Sequence, residues 1–163
     1  MKKFPDLEKL NILNEKYEIV NPDIMKAFFG FMVTVQKTNG RIESYLSRFK
    51  TTTAQISILL ILYLNNNEPE TPGSLSKKLG LSGPTISNVL KTLSQKKFIK
   101  KIKDENDQRI SKISITKEGY SFLDDFLPGY YEKYEQLFSN FESEELQSLK
   151  LISLKLFHNL DTF

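Results

Sequence analysis

Between Ser82 and Lys97 the chain reads S-G-P-T-I-S-N-V-L-K-T-L-S-Q-K-K. Ile86, Val89, Leu90 and Leu93 recur at i, i+3, i+4 and i+7, the spacing of one apolar stripe on an α-helix. At about 100° per residue, Pro84, Ser87, Asn88, Lys91 and Gln95 fall on the opposite side. That face carries two amides with a lysine between them and no acid. In a DNA major groove an amide can bond adenine bidentately, and a lysine can reach guanine or phosphate. Ser82, which caps the helix, and Thr85 in its first turn complete the candidate contact set. An ordinary solvated amphipathic helix would show the same stripe, so the neighbouring segments decide between the two readings.

Upstream, Thr71-Pro72 places an N-cap before a first-turn proline, and a short helix bearing Leu75 and Leu79 ends at Gly80. Leu81 and Ser82 then lead directly into the next helix, which predicts a helix-turn-helix. Downstream the period changes from helical to alternating. F-I-K-K-I-K, a turn D-E-N-D-Q-R, and I-S-K-I-S-I read as a two-stranded hairpin with Ile113 and Ile115 inward and Lys112 and Ser114 outward. Lys100, Lys101, Lys103, Arg109 and Lys112 crowd this hairpin, with Asp107 close to Arg109. A helix-turn-helix followed by a basic hairpin is a winged helix.

The remaining segments read as helices that frame this unit. Leu7, Leu10, Leu13 and Tyr17 suggest a short helix over residues 6–17. Asn21-Pro22 opens a long one, with Ile24, Phe28, Phe31, Met32, Val35, Ile42, Leu46 and Phe49 on one face and Gly40 within it. Thr52-x-x-Gln55 matches a capping box, and the helix behind it, 53–64, is apolar nearly all round, as a core hub should be. The following N-N-N-E-P-E reads as a loop. Thr116 caps a helix from Lys117 to about Phe138, in which Pro128-Gly129 predicts a kink. A last helix starts near Glu142-Ser143, with Leu146, Leu149, Leu151, Ile152, Leu154, Leu156, Phe157 and Leu160 on a stripe too wide for one neighbour. The predicted class is mainly α with a small β-hairpin wing. Residues 1–50 and 117–163 are expected to contribute a helical dimerisation region, and 51–116 the winged helix-turn-helix.

Composition narrows the chemistry. The chain of 163 residues is 39% apolar and 26% charged, as in an ordinary globular protein. It has no cysteine, which removes disulfides, thiol redox chemistry and thiolate metal sites. His158 is the single histidine, so a transition-metal centre is not expected, and its place among leucines suggests an interface residue. No phosphate-cradling glycine loop, Ser/His/Asp arrangement or acid–base carboxylate pair is present, so no catalytic residue and no cofactor is expected. The polar start and the absence of a long apolar run point to a cytoplasmic protein without a membrane anchor. The formal charge of +3 is unevenly spread: residues 74–117 hold eleven Lys and Arg against three acids, and the rest is net acidic. A basic block in an acidic frame is the footprint of a polyanion-binding element.

With these pieces in order, the chain resembles the MarR family of bacterial transcription regulators over about residues 24–160. The resemblance rests on T-T-A-Q at 52–55, L-S-K-K-L-G-L-S at 75–82, T-I-S-N-V-L-K-T-L at 85–93, D-E-N-D-Q-R at 104–109 and I-T-K-E-G at 115–119. It implies a winged-helix homodimer held by the first and the last two helices, binding a palindromic double-stranded DNA operator. It also implies that Arg109 enters the minor groove, oriented by Asp107. Three positions depart from the family pattern: Gln108 stands where a second basic residue is usual, Lys97 where a glycine is usual, and Lys101 where an arginine is usual.

The family further implies a small effector. Aromatic residues are frequent where the long helices should meet the DNA-binding lobe: Phe28, Phe29, Phe31, Tyr45, Tyr63 and Phe122. Arg41 and Arg48 are suited to hold a carboxylate or phenolate. The candidate ligand set is therefore Phe28, Phe31, Arg41, Tyr45, Arg48 and Tyr63, for an aromatic or anionic molecule. Aromatics at helical spacing equally describe a packed core. The competing functional class is a winged helix used for protein–protein assembly, which would favour an acidic or apolar outer face on the 83–95 helix.

Overall fold

The computed structural model describes residues 15–17, 21–65, 68–103 and 111–160. Its elements are α1 (Pro22–Ser47), α2 (Thr53–Leu64), α3 (Pro72–Leu79), α4 (Gly83–Gln95), β1 (Ile99–Lys103), β2 (Ser111–Ile115), α5 (Lys117–Phe138) and α6 (Ser143–Asn159). Residues 15–17 are helical, and the rest of the helix expected over 6–17 lies outside the described residues. Among the described residues no helix is long and apolar enough to cross a membrane.

Local signals set the helix starts. The side chains of Asn21, Thr52, Thr71, Ser82 and Thr116 each accept a backbone N–H in the first turn of the following helix. The capping box expected at Thr52 forms only in half. Thr52 Oγ1 accepts from Gln55 N at 3.4 Å, but the Gln55 side chain does not return to the cap. It is buried instead, accepting from Thr51 Oγ1 at 3.2 Å and from Lys96 Nζ at 2.8 Å. At α6 the carboxylate of Glu145 accepts the N–H of Glu142 at 2.9 Å, which identifies Glu142 as the cap. α5 runs through Pro128 as a single helix.

The main core gathers Ile58, Leu59 and Leu62 of α2 with Leu75, Ile86, Leu90, Leu93, Ile99, Ile113, Ile115 and Leu123. α2 is thus the hub that its all-round apolarity predicts. A second cluster joins Leu46, Ile56, Phe126 and Tyr130, tying α1 and α5 to the far side of the hub. β1 and β2 pair antiparallel with Ile99 opposite Ile115 and Lys103 opposite Ser111. The segment expected to be a plain loop before α3 does more than connect. Glu70 and Ile113 exchange backbone bonds of 2.9 and 2.7 Å, adding one bridge to the hairpin.

Candidate nucleic-acid interface

α4 stands on a buried stripe. Ile86 and Leu93 are fully covered, and Leu90 and the intermediate Val89 complete the inward side. Ser82, Pro84, Thr85, Ser87, Asn88, Lys91 and Gln95 are all exposed. Ser82 and Thr85 are partly engaged with each other: their hydroxyls are 2.8 Å apart, and Ser82 Oγ accepts the N–H of Thr85 at 3.3 Å. Asn88, Lys91 and Gln95 are left as the reaching side chains of the face.

The preceding turn is built for a sharp entry. Gly80 takes φ +63°, a left-handed conformation that glycine adopts without a Cβ penalty. Ser76 Oγ donates to Leu81 O at 2.6 Å, and Leu81 N donates to Ser76 O at 3.2 Å. Below the turn, Glu70 anchors α3 through an ion pair with Lys78 and a 2.8 Å bond from Asn65. Burial alone would raise the Glu70 carboxyl, but the donors Lys78, Ser74 and Asn65 outweigh it and hold it below the ordinary value.

At its far end α4 closes in a Schellman motif. Phe98 N donates to Leu93 O and Lys97 N to Ser94 O, both at 3.0 Å. The residue that must turn left-handed is Lys97, at φ +63°, in the position where the family usually has glycine. Thr116 then locks this corner. Its hydroxyl donates to Lys97 O at 2.6 Å and its N–H to Phe98 O at 3.0 Å, while its oxygen caps α5. Gly119 completes the joint, because a Cβ there would lie 2.3 Å from Phe98 O. The I-T-K-E-G stretch is therefore the fastening of α4, the hairpin and α5.

Lys100, Lys101 and Lys103 of the wing are exposed and Lys112 is partly covered. Cross-strand partners share a face, so Lys101 opposite Ile113 and Lys112 opposite Ile102 put cations on both sides of the ribbon. Asp107 and Arg109, with the whole turn 104–110, lie outside the described residues.

The structure does not bring the six ligand candidates together. Arg41, Tyr45 and Arg48 line one cleft of about 600 Å³ between α1 and α5, with Lys37, Thr38, Ser44, Tyr130, Lys133 and Gln136 also on its wall. Its charged lining is four cations, Lys37, Arg41, Arg48 and Lys133. Phe28 and Phe31 lie elsewhere, in an apolar groove of about 350 Å³ with Ile24, Ala27, Ile152 and Leu156. Tyr63 is apart from both, donating to Asp124 Oδ1 at 3.1 Å and packing on Tyr120. That carboxylate raises the pKa of the Tyr63 phenol. The sequence reading missed Lys37 and Lys133, although 37, 41, 44 and 48 form a helical stripe on α1. Tyr130 also belongs to the cleft, stacked on Tyr45 with centroids 6.1 Å apart and bonded by the Tyr134 hydroxyl at 2.5 Å. Burial and Tyr134 push its pKa upward, so it stays a neutral phenol.

Comparison with known proteins assigns this arrangement. The model of the MarR family matches residues 51–111, which span α2 through the start of β2. The HTH-type transcriptional repressor YetL of Bacillus subtilis is 24% identical over the whole chain, covering 98% of its own length. The transcriptional repressor MprA of Escherichia coli is 29% identical over 63% of this chain, and 58% of MprA is covered. The Staphylococcus aureus MepR–DNA complex superimposes with a TM-score of 0.70 at 27% identity, over 80% of this chain and 93% of MepR. The winged-helix segment, the end-to-end alignment and the shared fold agree: this chain is similar to transcription regulators of the MarR family.

Proposed function

We propose that the protein is a homodimeric transcriptional repressor that reads a palindromic duplex operator, with α4 in the major groove and the wing along the backbone. The carrying observation is the outer face of α4, where Asn88, Lys91 and Gln95 stand exposed on a helix whose inner stripe is buried and whose own residues include no acid. Relatives named as repressors, and MepR solved with DNA, support the reading. Residues 51–116 supply the DNA-binding unit, and 1–50 with 117–163 the dimer contacts. The apolar groove of Phe28, Phe31, Ile152 and Leu156 belongs to those contacts, covered by the second subunit. A small aromatic or anionic effector occupies the cationic α1–α5 cleft and relieves repression, with Arg41 and Arg48 on its charge and Tyr45 against its ring.

The test is duplex binding followed by fluorescence anisotropy across a salt series. If each subunit neutralises four or five phosphates, the log–log slope is roughly −7 to −9. Arg109→Ala lowers that magnitude by about one unit per subunit, and Arg109→Lys keeps much of it while losing affinity. A protein that retards no duplex at low salt is an assembly module instead.

A further inference from the structure

The recognition helix is fastened on one side by the Thr116–Gly119 corner. On its other side a single lysine crosses to a different part of the chain. Lys96, the C-cap of α4, donates to the backbone carbonyl of Lys50 and, at 2.8 Å, to Gln55 Oε1. Both acceptors belong to the junction between α1 and α2. Gln55 is buried there beside buried Thr51, whose hydroxyl also bonds Gln55 Oε1. The junction is itself a tight turn: Thr51 N donates to Leu46 O, Lys50 N donates to Ser47 O, and Lys50 takes φ +52°. The carbonyl that accepts the ammonium is three residues past Ser47, the last residue of α1.

Lys96 differs from the lysines around it. Lys91, Lys97, Lys100, Lys101 and Lys103 are exposed, whereas Lys96 is half-buried, and burial depresses its ammonium pKa. By helical spacing it follows Val89 and Leu93, on the inward stripe rather than the face of Asn88 and Lys91. A half-buried lysine whose ammonium is already engaged by two oxygen acceptors is not placed to neutralise a phosphate. The same junction follows directly on Tyr45 and Arg48, which line the cationic cleft.

We propose that Lys96 is a positioning residue for DNA recognition: by binding the Lys50 carbonyl and the Gln55 amide it sets the angle at which α4 meets DNA, without touching DNA itself. The proposal rests on the reading of α4 as the recognition helix. Removing the ammonium frees the C-terminal end of α4 from the α1–α2 junction while the Thr116 corner still holds it. The helix then remains folded but loses the fixed orientation that base contacts require.

The test uses the full-length protein and two probes, a duplex selected by the wild type from a randomised pool and a scrambled duplex of the same composition. Lys96→Met keeps the aliphatic stem, Lys96→Arg keeps two donors, and Gln55→Leu breaks the junction without changing any charge. Lys96→Met and Gln55→Leu each lose about ten-fold in affinity for the selected duplex, with little change on the scrambled one. Lys96→Arg retains most of the preference, and the double variant is no worse than the weaker single one. The salt slope stays at the wild-type value in Lys96→Met. A slope reduced by about two units per dimer makes Lys96 a phosphate contact and overturns the proposal. Unchanged preference in both Lys96→Met and Gln55→Leu overturns it as well, while a wild type that binds no duplex removes the DNA reading beneath it. Amide hydrogen exchange serves as the folding control. Faster exchange across the whole of α4 and the wing, with affinity lost equally on both duplexes, marks a plain stability role and also contradicts the proposal.

Discussion

α2 and α6 are both rich in leucine and isoleucine, yet they end in opposite environments. α2 buries Ile58, Leu59 and Leu62 among α4, the hairpin and α5, and Ile56 against α1 and α5. α6 buries none of its residues: Leu151, Ile152 and Leu154 are about half exposed and Phe157 is 70% exposed. The facing part of α1 behaves likewise, with Ile24 at 66% and Phe28 at 50%. Apolar sequence therefore has two uses in this chain. In the winged helix it closes a core within one subunit. On α1 and α6 it forms an open surface that a monomer would leave in water at a cost of about 25 cal/mol per Å².

Truncation on each side should separate these uses. Leu59→Ala opens a cavity in a site with no exposure, and urea unfolding should show a loss of about 2–5 kcal/mol at any protein concentration. Leu156→Glu on α6 should leave the folded subunit intact but abolish self-association. Light scattering at micromolar concentration should read twice 18.9 kDa for the wild type and 18.9 kDa for the variant. A wild type that scatters as a monomer would remove the reason given for the apolar face.

The fastening between the two regions gives smaller effects. Gly119→Ala drives a methyl against the Phe98 carbonyl, and because that carbonyl is fixed by Thr116 N–H the backbone must shift. Chemical denaturation should report a loss of about 1–3 kcal/mol. Lys97→Gly works in the other direction. It relieves a left-handed conformation that costs a side-chain residue about 1–2 kcal/mol, offset partly by the extra freedom of glycine in the unfolded chain. A net gain of roughly 0.5–1 kcal/mol should appear as a higher melting temperature.

The pattern of what could be read from the sequence follows the range of each interaction. Helix starts were legible because a cap bonds within three residues, as at Asn21, Thr71 and Thr116. The helix-turn-helix and the hairpin were legible for the same reason, through Gly80 and the change of period at Phe98. Gln55 reads as a cap partner from its spacing to Thr52, but Lys96, 41 residues away, holds its side chain instead. Glu70 reads as loop from its neighbours because its bridge to Ile113 is equally remote. The ligand candidates scattered because residue type and spacing place a side chain on a helix face without saying what faces it. Arg41, Tyr45 and Arg48 share a face and meet in one cleft, whereas Phe28 and Phe31 meet in a separate groove and Tyr63 lies apart from both. Asp107 and Arg109 rest on the charge of the hairpin and on the family resemblance, because both lie outside the described residues.

Whether the exposed face of α4 reads bases is decided by selecting duplexes from a randomised pool with wild type and with Asn88→Ala. The wild type should recover a palindrome with half-site centres about one helical turn apart. Asn88→Ala should bind the recovered duplex about 1–3 kcal/mol more weakly and lose its preference at one position in each half-site. An Asn88→Ala protein that recovers the same duplexes with the same preferences would show that this face of α4 does not read bases.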